Sequence, residues 1–293
     1  MDIGICLPYM ERDFDRDALL AWCRAIDAGP FSTLSCGERI TGYTLEMRAV
    51  LSAAAVLTQR VRIMPSLYVL PMHSAVWAAK EIATLDVLSD GRVTLCVGVG
   101  GREIDYRAVE AAFERRHARM DHQIERMRAV WRGEPPLAGA DPVGPAPVQT
   151  GGPPILVGAM RRKAIARVSR WADGLYGFSM NGDPKAVAEW FRMADSAWEA
   201  AERTRRPRRV AGFWYSLADD ADARLKKYVY EYLEVLGKDA ARAVAAGMTM
   251  SAPDAIRAGI DAIEELGCDE LLMVPATADL SEVDRIAELI ANR

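Results

Sequence analysis

RVRIMPSLYVLPMHSAVWAAKEIATLDVLSDGRVTLCVGVGGRE, residues 60–103, is the stretch whose reading decides the fold. Its first apolar run, Val61–Met64, predicts a buried strand. Pro65 has no amide donor and holds Met64 extended, so a regular strand is not expected to run on through this point. Ala75–Leu88 carries the pattern of an amphipathic helix, Ser89-Asp90-Gly91 forms a turn, and Arg92–Val97 predicts a second buried strand. That second strand ends in a glycine cluster carrying an acid. Two parallel strands joined by a helix need this much chain and put both strand ends on one side. Loops at those ends are where α/β proteins bind small molecules.

The alternation continues in both directions. Upstream lie a strand Ile3–Leu7, a helix Ala18–Asp27, a strand Phe31–Cys36 and an Ala-rich helix Leu45–Leu57. Downstream, a long helix is expected over Val109–Trp131, and then GEPPLAGADPVGPAPVQTGGPP (Gly133–Pro154) is too rich in Pro and Gly to hold one. Four more strands are expected at Ile155–Gly158, Gly174–Phe178, Val210–Leu217 and Glu270–Val274. Helices fill the gaps: Arg161–Trp171, Pro184–Glu202, Ala221–Leu236, Asp239–Ala246, Pro253–Leu266 and Leu280–Ala291. Eight strands separated by helices predict an α/β fold, a (β/α)8 TIM barrel forming a single domain over residues 1–293. An open doubly wound sheet is the alternative. The strand runs are apolar without alternation, as strands buried on both faces require.

Composition narrows the functional classes. The chain has 293 residues, 51% hydrophobic and 27% charged, the make-up of a soluble globular enzyme. A net charge of −4 gives no reason to expect a nucleic-acid partner. Cys6, Cys23, Cys36, Cys96 and Cys268 are odd in number, lack CxxC spacing and read as small buried thiols in a reducing compartment. The start, MDIGICLPYMERD, has no basic region, and no apolar run approaches a membrane span, so a cytoplasmic protein without a membrane partner is expected.

Three motifs carry chemistry. In GVGGRE, Gly98, Gly100 and Gly101 follow the fourth strand directly, where glycine permits positive φ and close approach of a flat ligand. Glu103 stands where a dinucleotide fingerprint would need its third glycine. It is either a solvated acid on a tight turn or an acid–base group beside a bound ring. The second motif opens at Gly158, Ala159, Met160 and Arg161, where free N–H groups at a helix start, with Arg161 and Arg162 beside them, suit a phosphate. Arginines simply solvated on that helix are the other reading. The third is CGERIT, which puts Glu38 and Arg39 at the expected catalytic end, as a structural ion pair or a functional couple. His73, in PMHS after the third strand, is a candidate proton shuttle or an ordinary loop residue. His117 and His122 read as solvated helix residues, and no spacing of ligand residues predicts a metal site.

Together these segments resemble the bacterial-luciferase-like superfamily, which includes flavin-dependent monooxygenases and deazaflavin (coenzyme F420) dependent oxidoreductases. The carrying residues are LPMHSAVWAAKEIATLDVLSDGR (Leu70–Arg92), LCVGVGGREIDY (Leu95–Tyr106), FERRHARMDHQIERMRAVW (Phe113–Trp131) and PPILVGAMRRKAIARVSRWADG (Pro153–Gly174). The likeness covers most of the first 180 residues. It implies a barrel holding an isoalloxazine or deazaflavin ring in its mouth, with phosphate on the loop Gly158–Arg161. It also implies a bulge against the ring at the exit of the third strand, with a cis bond between Ser66 and Leu67. Glu38, Arg39, Ser66, Leu67, Gly98, Gly100, Gly101, Glu103, Gly158, Ala159, Met160 and Arg161 thereby become expected cofactor contacts, and Glu103, His73 and Glu38 the expected catalytic groups.

The departures are specific. Where the family often has Asp-His after strand two, this chain has Glu38-Arg39, so a histidine base is lost or moved to His73. Where a similar deazaflavin sugar-phosphate dehydrogenase has Thr-Gly-Glu, this chain has Gly101-Arg102-Glu103, and that enzyme's tandem glycines are Met160-Arg161 here. Arginine outnumbers lysine 31 to 6, a mark of coding DNA rich in G and C, common where the deazaflavin is made. The resemblance therefore implies deazaflavin-dependent hydride transfer on a small organic substrate, in a homodimer formed through early helices. An FMN-dependent monooxygenase fed by a partner flavin reductase is the first alternative, and a non-catalytic flavin-binding barrel the second.

Overall fold

The computed structural model of the chain describes residues 1–292. Its eight strands are β1 (Asp2–Cys6), β2 (Thr33–Cys36), β3 (Arg62–Tyr68), β4 (Leu95–Val97), β5 (Ile155–Gly158), β6 (Gly174–Phe178), β7 (Arg208–Tyr215) and β8 (Glu270–Pro275). They pair in sequence order, all parallel, and β1 meets β8 from Asp2↔Glu270 to Ile5↔Met273, which closes the barrel. The open sheet is thereby excluded. The helices are α1 (Arg16–Ala28), α2 (Met47–Leu57), α3 (Ala75–Leu88), α4 (Glu103–Ala108), α5 (Arg116–Trp131), α6 (Arg162–Val168), α7 (Pro184–Ala200), α8 (Ala221–Leu233), α9 (Lys238–Ala246), α10 (Pro253–Glu265) and α11 (Ser281–Ala291).

The barrel interior is a cluster of Met64, Cys96, Leu156, Tyr176, Val210 and Leu272, one inward residue from each of β3 to β8. Burial of the Met, Leu and Val side chains among them stabilises the fold by about 1.5–3 kcal/mol each through removal from water. The second and larger core lies between the barrel and its helices, where Trp22, Phe31, Phe213 and Tyr215 are fully buried. The buried Glu270 carboxylate, at the start of β8, accepts from Arg208 Nη2 (2.8 Å), Ser32 Oγ (2.8 Å) and the Thr33 hydroxyl. It therefore ties β8 to β7 and β2 at the end of the barrel opposite the catalytic mouth.

Three expectations need correction. β3 does not stop at Met64 but runs through Pro65 to Tyr68. Cys36↔Pro65 is the last register position of the β2 ladder, so the missing proline donor costs no bond beyond it. Pairing with β4 then continues at Ser66↔Cys96 and Tyr68↔Val97, with the register shifting between them. Second, the helix expected over Val109–Trp131 begins only at Arg116, as α5: residues 109–115 form a turn in which Glu110 (φ 56°) and Arg115 (φ 53°) are left-handed, and the short helix α4, which was not expected, precedes that turn. Phe113 causes the break by packing edge-on against buried Tyr106 (5.2 Å), with the Arg116 guanidinium 3.7 Å over its ring. Third, α6 is seven residues long and ends before Trp171. The Pro/Gly segment holds no helix, and Gln149 Nε2 pins it to Asp86 Oδ1 (2.8 Å) and Val93 O (2.8 Å).

Candidate active site

At the C-terminal ends of the strands a cavity of about 360 Å³ opens, to which the exits of all eight contribute. Cys6 comes from β1, Gly37 to Arg39 follow β2, and Ser66 and Leu67 belong to β3. Gly100 to Arg102 follow β4, Met160 follows β5, Tyr176 and Phe178 close β6, and Trp214 and Val274 come from β7 and β8. The wall is mainly apolar, with a cluster of aromatic side chains on one part of it. Phe178 and Trp214 pack edge to face at 4.9 Å, and Trp214 does the same with Tyr232 at 5.0 Å. A larger hollow of about 1120 Å³ lies at the opposite end, but its charges are used in ion pairs such as Arg206–Asp269 (2.6 Å) and Arg203–Asp173 (3.8 Å). We place the chemistry at the strand C-termini, where such barrels carry it.

Leu67 makes the floor, seated on glycine. Leu67 fills the space below the cavity so closely that a Cβ on Gly98 would stand 2.6 Å from its Cδ1, and one on Gly158 2.7 Å from its Cδ2. The Ser66–Leu67 peptide bond is cis, as the resemblance implied. Gly100 adopts φ 59°, and a Cβ there would meet Val69 Cγ1 at 2.9 Å. Gly98 and Gly158 thus act from beneath the cavity, whereas Gly100 and Gly101 line it.

The structure joins two residues that the sequence offered separately. Glu38, its side chain only 3% exposed, puts Oε1 2.7 Å from His73 Nε2. At that distance an imidazole N–H donates to an ionised carboxylate. Its other oxygen accepts the Val69 N–H at 2.6 Å. Glu38 faces the cavity, and His73 stands behind it, 11% exposed, held by Gln123 Nε2 donating to its carbonyl (2.6 Å) and by the Tyr68 ring at 4.7 Å. Glu38 and Arg39 are not an ion pair with each other. Arg39 donates through Nε to Thr41 O (3.0 Å) and through Nη1 to Met10 Sδ (3.5 Å).

Glu103 is placed elsewhere. It is the first residue of α4, exposed, and does not line the cavity. Its neighbours Arg102 and Asp105 do, and sequence reasoning passed over both. The Asp105 carboxylate accepts Thr41 N–H (3.1 Å), the Thr41 hydroxyl and Arg102 Nε (3.1 Å), while Arg102 Nη2 donates to Thr41 Oγ1 (2.9 Å). Burial alone would raise the Asp105 carboxyl, but the two Thr41 hydrogen bonds and the Arg102 charge together hold it below the ordinary aspartate value. Burial pushes the Tyr232 phenol up, against a hydrogen bond from Tyr9 and the charges of Arg39 and Arg102. Burial also pushes the Cys6 thiol up to about 11, which keeps it protonated and unreactive.

On the loop after β5 only Met160 reaches the cavity wall; Ala159 is buried, and Arg161, which precedes α6, is exposed. Among the described residues no group of three or more His, Cys, Asp or Glu could hold a metal ion.

Comparison with known proteins agrees with this architecture. Residues 1–274 match the family model described as luciferase-like monooxygenase. An uncharacterised protein of Mycobacterium tuberculosis is 31% identical over 175 residues, 57% of this chain and 61% of that relative, so the match spans about three fifths of the relative's length. Among solved structures, the monooxygenase RslO1 from Streptomyces bottropensis superposes with a TM-score of 0.78 at 22% identity, over 100% of this chain and 98% of that one. An F420-dependent secondary alcohol dehydrogenase in complex with an F420–acetone adduct gives 0.79 at 16% identity, over 99% of each chain. The oxygenating constituent of 3,6-diketocamphane monooxygenase from Pseudomonas putida, in complex with FMN, gives 0.73 at 17% identity, over 100% and 98%. At these identities the three structures speak for the fold.

Proposed function

The chain belongs to the luciferase-like monooxygenase family, and within it we propose a deazaflavin (coenzyme F420) dependent oxidoreductase that moves a hydride between cofactor and a small organic substrate. The observation that carries this reading is the Glu38–His73 pair at the wall of a mainly apolar cavity. Converting an alcohol to a carbonyl, or the reverse, moves a proton on oxygen along with the hydride, and a buried carboxylate backed by an imidazole is a device for that proton.

The cavity fits a flat heteroaromatic ring on two counts: an apolar wall carrying aromatic side chains, and a floor of Leu67 seated on Gly98 and Gly158. Ser66, Leu67, Gly100, Gly101 and Met160 would hold the ring, and Arg39 would face the cofactor's anionic groups at the rim. The cofactor supplies two-electron hydride chemistry when bound. Glu38 takes the hydroxyl proton of an alcohol, or returns it to a carbonyl oxygen. His73 holds the Glu38 carboxylate in place and shares its charge. The apolar wall excludes water, which strengthens these interactions. Glu103 has no part in this step, and its place as acid–base group passes to Glu38. We propose a homodimer formed through the early helices, a reading supported by Val56 of α2 (57%) and Trp77 of α3 (64%), which stand exposed.

Titration of the full chain with the deazaflavin and with FMN, followed by ring absorbance, tests the cofactor. Tighter deazaflavin binding and anaerobic turnover of secondary alcohols are expected. Tighter FMN binding with oxygen uptake, dependent on an added flavin reductase, would establish the monooxygenase instead. Binding of either ring with no turnover of alcohols, carbonyls or alkenes would make this a flavin-binding barrel without catalysis.

A further inference from the structure

We propose that Arg102 is an anion receptor that selects substrates carrying a carboxylate on an aromatic or otherwise apolar body. The inference rests on the reading of this cavity as the oxidoreductase pocket, and it adds the chemical class of the substrate.

Arg102 is fixed before any ligand arrives. Its Nε is bound to Asp105 Oδ2 (3.1 Å) and its Nη2 to Thr41 Oγ1 (2.9 Å). The same Thr41 donates twice to Asp105, and its carbonyl accepts from Arg39 Nε. One threonine thus ties the β2 exit loop to α4 and orients both guanidiniums of the rim. The third nitrogen, Nη1, is buried and has no hydrogen-bond partner among the described residues, although its side chain lines the cavity. A buried N–H group of a guanidinium without an acceptor is costly, and native proteins keep such groups where a ligand or water satisfies them. A planar fork held through Nε and Nη2 leaves Nη1 as the donor for a carboxylate.

Charge decides between anions. The two cations that line the cavity, Arg39 and Arg102, are matched by the Asp105 and Glu38 carboxylates, so the site carries no excess positive charge. A carboxylate monoanion adds less uncompensated charge there than a phosphate dianion would, above all beside the Glu38 carboxylate. The rest of the wall, with Phe178 and Trp214, accepts an apolar or aromatic body.

Calorimetric titration of the full chain without cofactor, using benzoate and its neutral counterpart benzamide, tests the proposal without any redox step. It therefore stands or falls separately from the cofactor assignment. Benzoate is expected to bind about tenfold or more tighter than benzamide, the strength of one charge-assisted hydrogen bond. Arg102→Gln should erase that preference, and Arg102→Lys should retain part of it. Thr41→Val, which loosens Arg102 without removing it, should weaken benzoate several-fold and leave benzamide unchanged. It serves as the test should Arg102→Gln fail to fold. Equal affinity for the two probes in the wild type, or an undiminished preference in Arg102→Gln, would overturn the proposal. A parallel titration with FMN and riboflavin identifies the source of the anion. If Arg102→Gln weakens FMN relative to riboflavin and leaves benzoate unaffected, the receptor serves a cofactor phosphate and the substrate assignment is wrong.

Discussion

Substitution of Glu38 separates structure from chemistry, because Gln and Ala remove different things. The carboxylate accepts the Val69 N–H at 2.6 Å and pairs with His73 Nε2 at 2.7 Å, in a side chain 3% exposed. In Glu38→Ala both partners lose their acceptor. A hydrogen bond to a charged group contributes about 1.5–3 kcal/mol, and the Val69 N–H would be left buried, so a loss of about 3–4 kcal/mol is expected. In Glu38→Gln the amide oxygen still receives the Val69 N–H, and the amide N–H₂ meets the other tautomer of His73. Only the charge assistance is lost, about 1 kcal/mol. Activity should follow the opposite logic. Gln cannot take a proton, so kcat should fall by about 10²–10⁴ in Gln as in Ala, with cofactor affinity nearly intact in Gln. Urea unfolding by circular dichroism gives the first quantity, and anaerobic stopped-flow reduction of the deazaflavin gives the second. Wild-type turnover in Glu38→Gln would refute the proton role. Equal destabilisation by Gln and Ala would refute the hydrogen-bond account on which it rests.

Other outcomes follow from the same geometry. Glu103→Gln should change kcat/KM by less than about threefold, since the side chain is exposed and off the cavity; a hundredfold loss would return Glu103 to the active site. Glu270→Ala should cost about 3–5 kcal/mol in chemical unfolding, because it leaves Arg208, Ser32 and Thr33 without their shared acceptor. Gly100→Ala, at φ 59° and against Val69, should cost about 1–2 kcal/mol and weaken cofactor binding in the same ring titration. The Asp105 carboxyl is depressed, so its contribution to stability is complete above the ordinary aspartate value and is lost only as pH falls below it. Benzoate affinity should accordingly be flat from about pH 5 to about pH 8, as pH-stepped calorimetry would show.

What the sequence made legible, and what it hid, follows the range of the forces involved. Strands buried on both faces announce themselves as short apolar runs, and β5 and β6 fall at the expected residues. The Pro/Gly tract was equally readable, since its backbone chemistry is local. The turn over residues 109–115 and the short helix α4 before it were not, because both depend on Phe113 finding Tyr106, a tertiary contact that overrides helix propensity. The same miss concealed the site. Taken as a bare turn after β4, GGREIDY offers Glu103 as its first acid. Taken as a helix, it puts Arg102, Asp105 and Tyr106 on one face at i, i+3 and i+4, with Glu103 on another. The burial follows that second pattern, with Asp105 and Tyr106 inside and Glu103 and Ile104 outside. Helical phase on a six-residue element therefore decides which acid belongs to the cavity. The Glu38–His73 pair was beyond any such local rule: its members lie 35 residues apart and meet only because β2 and β3 are adjacent in the closed barrel, so that their exit loops share one wall.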